Sequence, residues 1–226
     1  MSGYTCQNEA CEAILEAGRR LYLRGLVASN DGNISARMED GSVWATPTGV
    51  SKGYMTRDML VHLSAEGELL EGSLRASSEI AMHLLVYRKN PALAGVVHAH
   101  GPAATAYATL GKPFDLAISL ESAVQLGVVP CAPYAVTGSP ALAASAAQYC
   151  MEYNAAFLEQ HGAVSWGKDV MQALFRTESL EHSIVTYSHM LALGEVRLLT
   201  KAQIADLQAV RERFGITTGG IPRGRE

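Results

Sequence analysis

Short β-like runs joined by tight turns are the feature that most constrains the fold of this chain. The runs at 33–38 and 42–46 flank Glu39-Asp40-Gly41, and the run at 60–64 leads into the turn Ala65-Glu66-Gly67. Turns of this composition between β-like runs favour hairpins, and hairpins build antiparallel sheets. Further strands are predicted at 95–100, 155–162 and 163–167.

Segments with helical periodicity separate these strands. Ser77 is the predicted N-cap of one helix, and Pro140 takes the first position of another. We therefore expect a mixed, largely antiparallel sheet between layers of helices, in a single domain over residues 1–226. The chain has neither a G-x-G-x-x-G motif after a strand nor a P-loop motif. Helices are predicted at 8–27, 78–90, 101–111, 139–153, 169–193 and 201–213.

Composition and charge exclude several classes of function. Lys and Arg number 18 against 22 Asp and Glu, so the chain offers no basic excess to a nucleic acid. It has no run of 18 apolar residues, and the first residues lack the order of a secretory signal. The four cysteines form no C-x-x-C pair and are expected as reduced thiols. We expect a cytoplasmic protein without a membrane or nucleic-acid partner.

The strongest chemical signal is Val96-Val97-His98-Ala99-His100. Side chains alternate across a strand, so His98 and His100 are expected on the same face. Two imidazoles at this spacing can share a divalent ion, or they can lie on a solvated face. The apolar residues before them are typical of an inner strand, where an unpartnered imidazole pair is costly.

A third ligand is available at His161, which ends the apolar run 155–158 and precedes Gly162. The alternative for this residue is an exposed loop histidine. Three neutral imidazoles with an open fourth position are typical of catalytic zinc. Nitrogen ligands also favour zinc over magnesium or calcium.

Three small polar segments suggest an anion site. They are Ala76-Ser77-Ser78-Glu79, Gly32-Asn33-Ile34-Ser35 and Thr46-Pro47-Thr48-Gly49. Each alone is a helix cap or a turn, but together they predict a phosphate site made of neutral donors, without Arg or Lys. The Glu79 carboxylate then serves as a fourth metal ligand or as a proton shuttle.

Six motifs occur together in one order along the chain. In this combination the chain resembles the class II aldolase/adducin family, and within it the L-fuculose-1-phosphate aldolase branch. The resemblance runs from about residue 8 to about residue 193. The motifs are GNIS (32–35), TPTG (46–49), SSE (77–79), VVHAH (96–100), PCAPYA (130–135) and EQHG (159–162).

The resemblance implies a three-layer α/β/α sandwich around a mostly antiparallel mixed sheet. It also implies a homotetramer with active sites at subunit interfaces. One zinc ion per subunit is assigned to His98, His100 and His161, with Glu79 as an exchangeable fourth ligand. The phosphate of dihydroxyacetone phosphate is assigned to Asn33, Thr48, Gly49, Ser77 and Ser78.

The implied reaction is reversible cleavage of a (deoxy)ketose 1-phosphate to dihydroxyacetone phosphate and an aldehyde. A metal-stabilised enediolate forms, and Glu79 carries the proton at the carbon next to the carbonyl. For that role we expect Glu79 to have a raised pKa in a dry pocket.

The aldehyde end departs from the family pattern. The family has one tyrosine in the stretch that precedes PCAPYA and another near the C-terminus. Here residues 114–121 and 214–220 contain none. Glu121 is a candidate substitute, and Tyr134 is expected to pack. The substrate is therefore L-fuculose 1-phosphate or a 5-deoxypentulose 1-phosphate of nucleoside salvage.

Three relatives with other functions share part of this pattern. The ribulose-phosphate 4-epimerase branch has Asp where this chain has Glu79, and the oxo-tetronate-phosphate decarboxylase branch has a different serine pair. Adducin-like heads are interaction modules that lack the three histidines. The presence of His98, His100 and His161 argues against that last alternative.

Overall fold

A computed structural model describes residues 2–226 and contains one eight-stranded sheet. The strand order is β4-β3-β2-β1-β5-β8-β7-β6. Neighbouring strands are antiparallel except for the parallel pair β6–β7. The strands are β1 (Asn33–Arg37), β2 (Val43–Ala45), β3 (Val61–Leu63), β4 (Leu69–Glu71), β5 (Gly95–Ala99), β6 (Cys131–Ala132), β7 (Ala155–Leu158) and β8 (Gly162–Gly167).

Helices cover both faces of this sheet. Val96 of β5 packs into a core with α2 and α4, whereas the next residue, Val97, packs into a core with α1 and α5. The central strands are therefore buried on both sides, and the predicted three-layer α/β/α fold is confirmed. The helices are α1 (Gln7–Leu23), α2 (Ile80–Lys89), α3 (Pro102–Ala108), α4 (Pro140–Ala147), α5 (Val170–Ala192) and α6 (Lys201–Arg213).

Local sequence signals account for several of these elements. The predicted hairpin turn joins β1 to β2, where Gly41 has a φ of 90°. Helix α4 begins with Pro140 after the N-cap Ser139. Helix α6 begins at a capping box formed by Thr200 and Gln203.

Four predicted details were wrong. Helix α1 ends at Leu23 rather than at 27, because Gly25 adopts a φ of 67° and turns the chain. Helix α4 ends at Ala147 rather than at 153. The N-cap position of α2 belongs to Glu79, while the Ser77 hydroxyl accepts a hydrogen bond from the Glu79 N–H at 3.3 Å. Strand β6 was not predicted, because a strand of two residues is too short to show an alternation of apolar and polar residues.

Within residues 2–226, no helix has both the length and the apolar character needed to cross a bilayer.

Candidate metal centre and phosphate site

The three histidines meet where β5 ends and β8 begins. Strand β5 carries His98 and leads into His100, and the turn before β8 carries His161. The pairing of Ala99 with Ala163 brings that turn beside the two β5 histidines. One ring nitrogen from each histidine lies within 4.8 Å of the other two. The expected common face of His98 and His100 is present.

The space around these rings is tight. Nε2 of His98 and Nε2 of His100 are 2.9 Å apart. A Cβ atom added to Gly162 would lie 2.8 Å from Cδ2 of His100 and 2.8 Å from the Ala99 carbonyl oxygen. Glycine at this position thus allows the β8 backbone to approach the cluster.

Hydrogen bonds on the outer side orient two of the rings. Nδ1 of His98 donates to the carbonyl oxygen of Ala163 at 2.9 Å, which leaves its Nε2 lone pair directed into the cluster. Nδ1 of His100 lies 3.4 Å from Oδ2 of Asp31. Burial lowers the pKa of His98 to about 3 and also lowers the pKa of His161. Neutral imidazoles of this kind are ready to bind a metal.

Glu79 faces the cluster from the start of α2. Its Oε2 lies 3.3 Å from Nε2 of His98, and its Oε1 lies 3.6 Å from Nε2 of His161. Nδ2 of Asn33 donates to Oε2 at 2.8 Å, and Oγ1 of Thr137 donates to Oε1 at 2.9 Å. A hydrogen bond to each oxygen therefore fixes the position of the Glu79 carboxylate.

The expected raised pKa of Glu79 was wrong. Burial alone raises the pKa of this carboxyl, but His98, His161 and the hydrogen bonds from Asn33 and Thr137 outweigh it and lower the pKa to about 2. Sequence reasoning foresaw the burial but not Thr137, whose donor comes from a distant loop. Glu79 is therefore ionised at neutral pH.

This donor set fits a divalent transition metal. Three imidazole nitrogens with one carboxylate beside them are a ligand set that suits a metal such as zinc. The neutral state of the buried rings and the second hydrogen bond of His98 are both typical of metal-ligating histidines.

A cavity of about 290 Å³ opens beside the cluster. Four of the five residues expected to bind phosphate line it together with Glu79, His100 and His161. The fifth, Gly49, adjoins Thr48 in the same loop and has a φ of 76°. The lining is Asn30, Asp31, Gly32, Asn33, Pro47, Thr48, Lys52, Ser77, Ser78, Glu79, His100, Thr137 and His161.

Backbone hydrogen bonds fix two of the cavity loops to each other. The N–H of Thr48 donates to the Arg75 carbonyl at 2.9 Å, and the N–H of Ser77 donates to the Thr46 carbonyl at 3.3 Å. Thr48 and Ser78 keep exposed side chains. The cavity therefore presents hydroxyl groups on a fixed frame.

Lys52 corrects the expectation of a site without Lys or Arg. It lines the cavity although it is only 2% exposed, and its Nζ donates to the carbonyl oxygens of Asn30 at 2.9 Å and Val50 at 2.7 Å. Burial lowers its pKa to about 8, against the opposing effect of Asp31. A lysine in a loop is usually exposed, so no sequence signal indicated this placement.

The family model described as Class II Aldolase and Adducin N-terminal domain matches residues 12–188. The chain belongs to the class II aldolase and adducin family. The family resemblance inferred from the six motifs is thereby confirmed.

Several relatives within the class II aldolase family are similar over nearly their full length. A 3-oxo-tetronate 4-phosphate decarboxylase of Haemophilus influenzae is 33% identical over 87% of this chain and 95% of its own. A 5-deoxy-D-ribulose 1-phosphate aldolase of Bacillus thuringiensis is 31% identical over 90% of this chain and 96% of its own. An L-fuculose phosphate aldolase of Haemophilus influenzae is 31% identical over 91% and 94%.

Solved class II aldolase structures show the same fold. An L-fuculose 1-phosphate aldolase superposes with a TM-score of 0.84 at 26% identity, covering 93% of this chain and 98% of its own. The L-fuculose-1-phosphate aldolase from Thermus thermophilus gives a TM-score of 0.75 at 28% identity, covering 85% and 100%. The comparisons support an enzyme of aldolase or lyase type.

The residues considered for the aldehyde end do not line the cavity beside the three histidines of the same chain. Glu121 lines a smaller cavity of about 170 Å³ with residues of α5, including His182. Tyr134 was expected to pack, but it is 65% exposed, so that prediction was wrong. Phe114 is buried in the core under α3 and α5.

Proposed function

We propose that this chain is a metal-dependent aldolase that reversibly cleaves a ketose 1-phosphate to dihydroxyacetone phosphate and an aldehyde. The observation that carries the proposal is the position of Glu79, within 3.3 Å and 3.6 Å of two clustered imidazoles and in the wall of the polar cavity. A carboxylate, a metal-binding cluster and a group of hydroxyl donors thus border one space, as enolisation of a phosphorylated ketone requires.

In this proposal His98, His100 and His161 hold one zinc ion per chain, and Glu79 is the exchangeable fourth ligand. When bound, such an ion acts as a Lewis acid towards a carbonyl oxygen and stabilises negative charge there. The outer hydrogen bond from His98 to Ala163 fixes the ring so that Nε2 remains the ligand atom.

The phosphoryl group occupies the other end of the cavity. Asn33, Thr48, Gly49, Ser77 and Ser78 are the proposed neutral ligands, supplied by hydroxyl and N–H groups. Lys52 adds a buried positive charge to this end. Binding the phosphoryl group fixes the reacting carbon relative to Glu79, which lowers the entropic part of the barrier.

Glu79 is the proposed catalytic base. In the condensation direction it accepts a proton from the carbon next to the carbonyl of dihydroxyacetone phosphate. In the cleavage direction it returns that proton to the same carbon. Asn33 and Thr137 hold the two carboxylate oxygens in place. The pKa of Glu79 is lowered to about 2, so the carboxylate is ionised throughout the neutral range, although the same shift makes it a weaker base than an ordinary glutamate.

The similarity to decarboxylases supports a second candidate, decarboxylation of a 3-oxo-tetronate 4-phosphate. Relatives that carry this name are 33% and 31% identical to this chain over most of its length. Loss of carbon dioxide also leaves an enolate that must be stabilised and protonated. The family resemblance, in which the decarboxylase branch has a different serine pair from Ser77-Ser78, favours the aldolase.

We also infer a cytoplasmic homotetramer with active sites at subunit interfaces, on the basis of the family resemblance. Light scattering after size exclusion measures the assembly and gives four chains if the inference is correct.

The reaction is tested with purified, zinc-loaded protein. Dihydroxyacetone phosphate is offered with lactaldehyde or acetaldehyde, which yield a 6-deoxyhexulose or a 5-deoxypentulose 1-phosphate, and a 3-oxo-tetronate 4-phosphate is tested separately. A condensation product supports the aldolase and identifies the aldehyde. Release of carbon dioxide without any condensation product selects the decarboxylase.

A further inference from the structure

A buried row of polar side chains runs from Glu79 and Asn33, in the wall of the cavity, into the core. His83 follows Glu79 by one helical turn on α2 and is 1% exposed. Asn33 and Ser35 alternate on one face of β1, opposite this turn. Tyr87 follows His83 by a further turn and is also buried. Each of these groups has a hydrogen-bond partner within the row.

The distances describe one continuous chain of hydrogen bonds. Asn33 Nδ2 lies 2.8 Å from Glu79 Oε2, and Asn33 Oδ1 lies 2.6 Å from His83 Nε2. His83 Nδ1 lies 2.7 Å from Ser35 Oγ, which lies 2.8 Å from Tyr87 Oη. Tyr87 Oη also lies 2.9 Å from the Ser35 carbonyl oxygen, so its hydrogen is shared.

The Asn33 amide determines the direction of the bonds that follow it, because its Nδ2 faces Glu79 and its Oδ1 faces His83. A carboxylate only accepts, so Asn33 must present its NH₂ group to Glu79 and its oxygen to His83. An amide oxygen also only accepts, so His83 must donate from Nε2. Nδ1 of the neutral ring then accepts from Ser35, and Ser35 accepts from Tyr87. The donors of Ser35, His83 and Asn33 point towards Glu79, and the Tyr87 hydrogen is shared between Oγ and the carbonyl oxygen of Ser35.

We propose that His83 is a positioning residue, which holds the Asn33 amide in the one orientation that donates to Glu79. The inference rests on the proposed function, in which Glu79 is the base. If the Asn33 amide were reversed, its oxygen would lie against the Glu79 carboxylate, and the carboxylate would lose a donor and gain a repulsive neighbour.

Two further observations support a positional rather than a packing role. Burial lowers the pKa of His83 to about 4, so the ring is neutral. A neutral ring has one donor and one acceptor, as the row of hydrogen bonds requires. A leucine would fill much of the same space in this core, but it would leave Asn33 and Ser35 without partners.

The chain offers a matched pair of variants. His83→Gln places an amide N–H near the position of Nε2 and keeps the donor to Asn33, whereas His83→Asn keeps a group near Nδ1 and loses that donor. We expect the kcat for deuterium exchange into dihydroxyacetone phosphate to fall about tenfold to a hundredfold in His83→Asn, and to stay within about threefold of wild type in His83→Gln. KM and bound zinc change less than about threefold in both.

A second measurement needs no activity. The ¹⁵N NMR signals of the His83 ring in wild-type protein report which nitrogen carries the proton. We expect a protonated Nε2 and an unprotonated Nδ1 at pH 7. The opposite tautomer, or equal kcat values in His83→Asn and His83→Gln, overturns the inference. If wild-type protein exchanges no deuterium, the proposed function fails, whereas exchange that is insensitive to His83→Asn removes only the role of His83.

Discussion

Oε2 of Glu79 lies 3.3 Å from Nε2 of His98, and the two residues come from the start of α2 and from the central strand β5. Neither group is exposed to bulk water, since Glu79 is 7% exposed and His98 is fully buried. Asn33 and Thr137 donate to the buried carboxylate and reduce the cost of its burial, and a divalent ion next to both groups would reduce that cost further.

The first prediction concerns His98. Replacing it by alanine removes the most buried of the three nitrogens, and we expect bound zinc to fall from one ion per chain to less than about a tenth. Activity should fall with the metal while circular dichroism shows a folded chain. His189→Ala, an exposed histidine on α5, is the control and should keep both. Full activity of His98→Ala without metal would show that the cluster has no role in the chemistry.

The variant Glu79→Gln tests the role of Glu79 as a base independently of its role in metal binding. The amide keeps the size of the side chain and can contact the cluster, but it accepts a proton very poorly. We expect zinc content to remain near one ion per chain and deuterium exchange into dihydroxyacetone phosphate to fall by about a hundredfold or more. Exchange at the wild-type rate would assign the base to another residue.

Lys52 leads to a prediction about charge and pH. Its pKa is lowered to about 8 by burial, so the ammonium is charged below that pH and loses its proton above it. A phosphoryl group is a dianion across this range. Attraction to the substrate is therefore present below pH 8 and is lost as the pH rises, so KM should increase above pH 8.

Variants of Lys52 test the same charge directly. In Lys52→Met we expect KM for dihydroxyacetone phosphate to rise about tenfold at pH 7 and to lose its increase above pH 8. Lys112→Met, at an exposed lysine, is the matched control and should leave the KM profile unchanged. A Lys52→Met enzyme with the wild-type KM profile would mean that Lys52 only joins the two loops.

Gly162 provides a geometric test of the cluster. A methyl group there would meet the Ala99 carbonyl oxygen and Cδ2 of His100, each at 2.8 Å. We expect Gly162→Ala to shift the ring of His100 and to weaken zinc binding by about tenfold to a hundredfold. Gly194→Ala is the comparison, because a Cβ at Gly194 meets nothing within 4 Å, and the strain at its φ of 89° lies at the end of α5 rather than at the cluster. Titration with a competing chelator measures both affinities, and equal values would contradict the geometry.

Local patterns were sufficient to predict the sheet type and the common face of His98 and His100. Alternation placed His98 and His100 on one face, and the hairpin signal at Glu39-Asp40-Gly41 predicted antiparallel pairing. These features depend on neighbouring residues in the chain. His161 was proposed as a third ligand from its place after an apolar run and before Gly162, and the family motifs supported that proposal. The strand pairing that brings it to the cluster joins residues far apart in the sequence.

Features that depend on tertiary packing were not predicted. The donor from Thr137 to Glu79 joins residues 58 positions apart. Together with the larger effects of His98, His161 and Asn33, it lowers the Glu79 pKa against the effect of burial. The burial of Lys52 results from contacts with two loop carbonyls. Such contacts leave no period or motif in the sequence.

The most direct test of the account measures bound zinc and deuterium exchange into dihydroxyacetone phosphate on the same sample. The protein is first treated with a chelator and then restored stepwise with zinc. The account predicts that exchange disappears with the metal and returns in proportion to bound zinc, up to one ion per chain. Metal-free protein that exchanges at the full rate would contradict it.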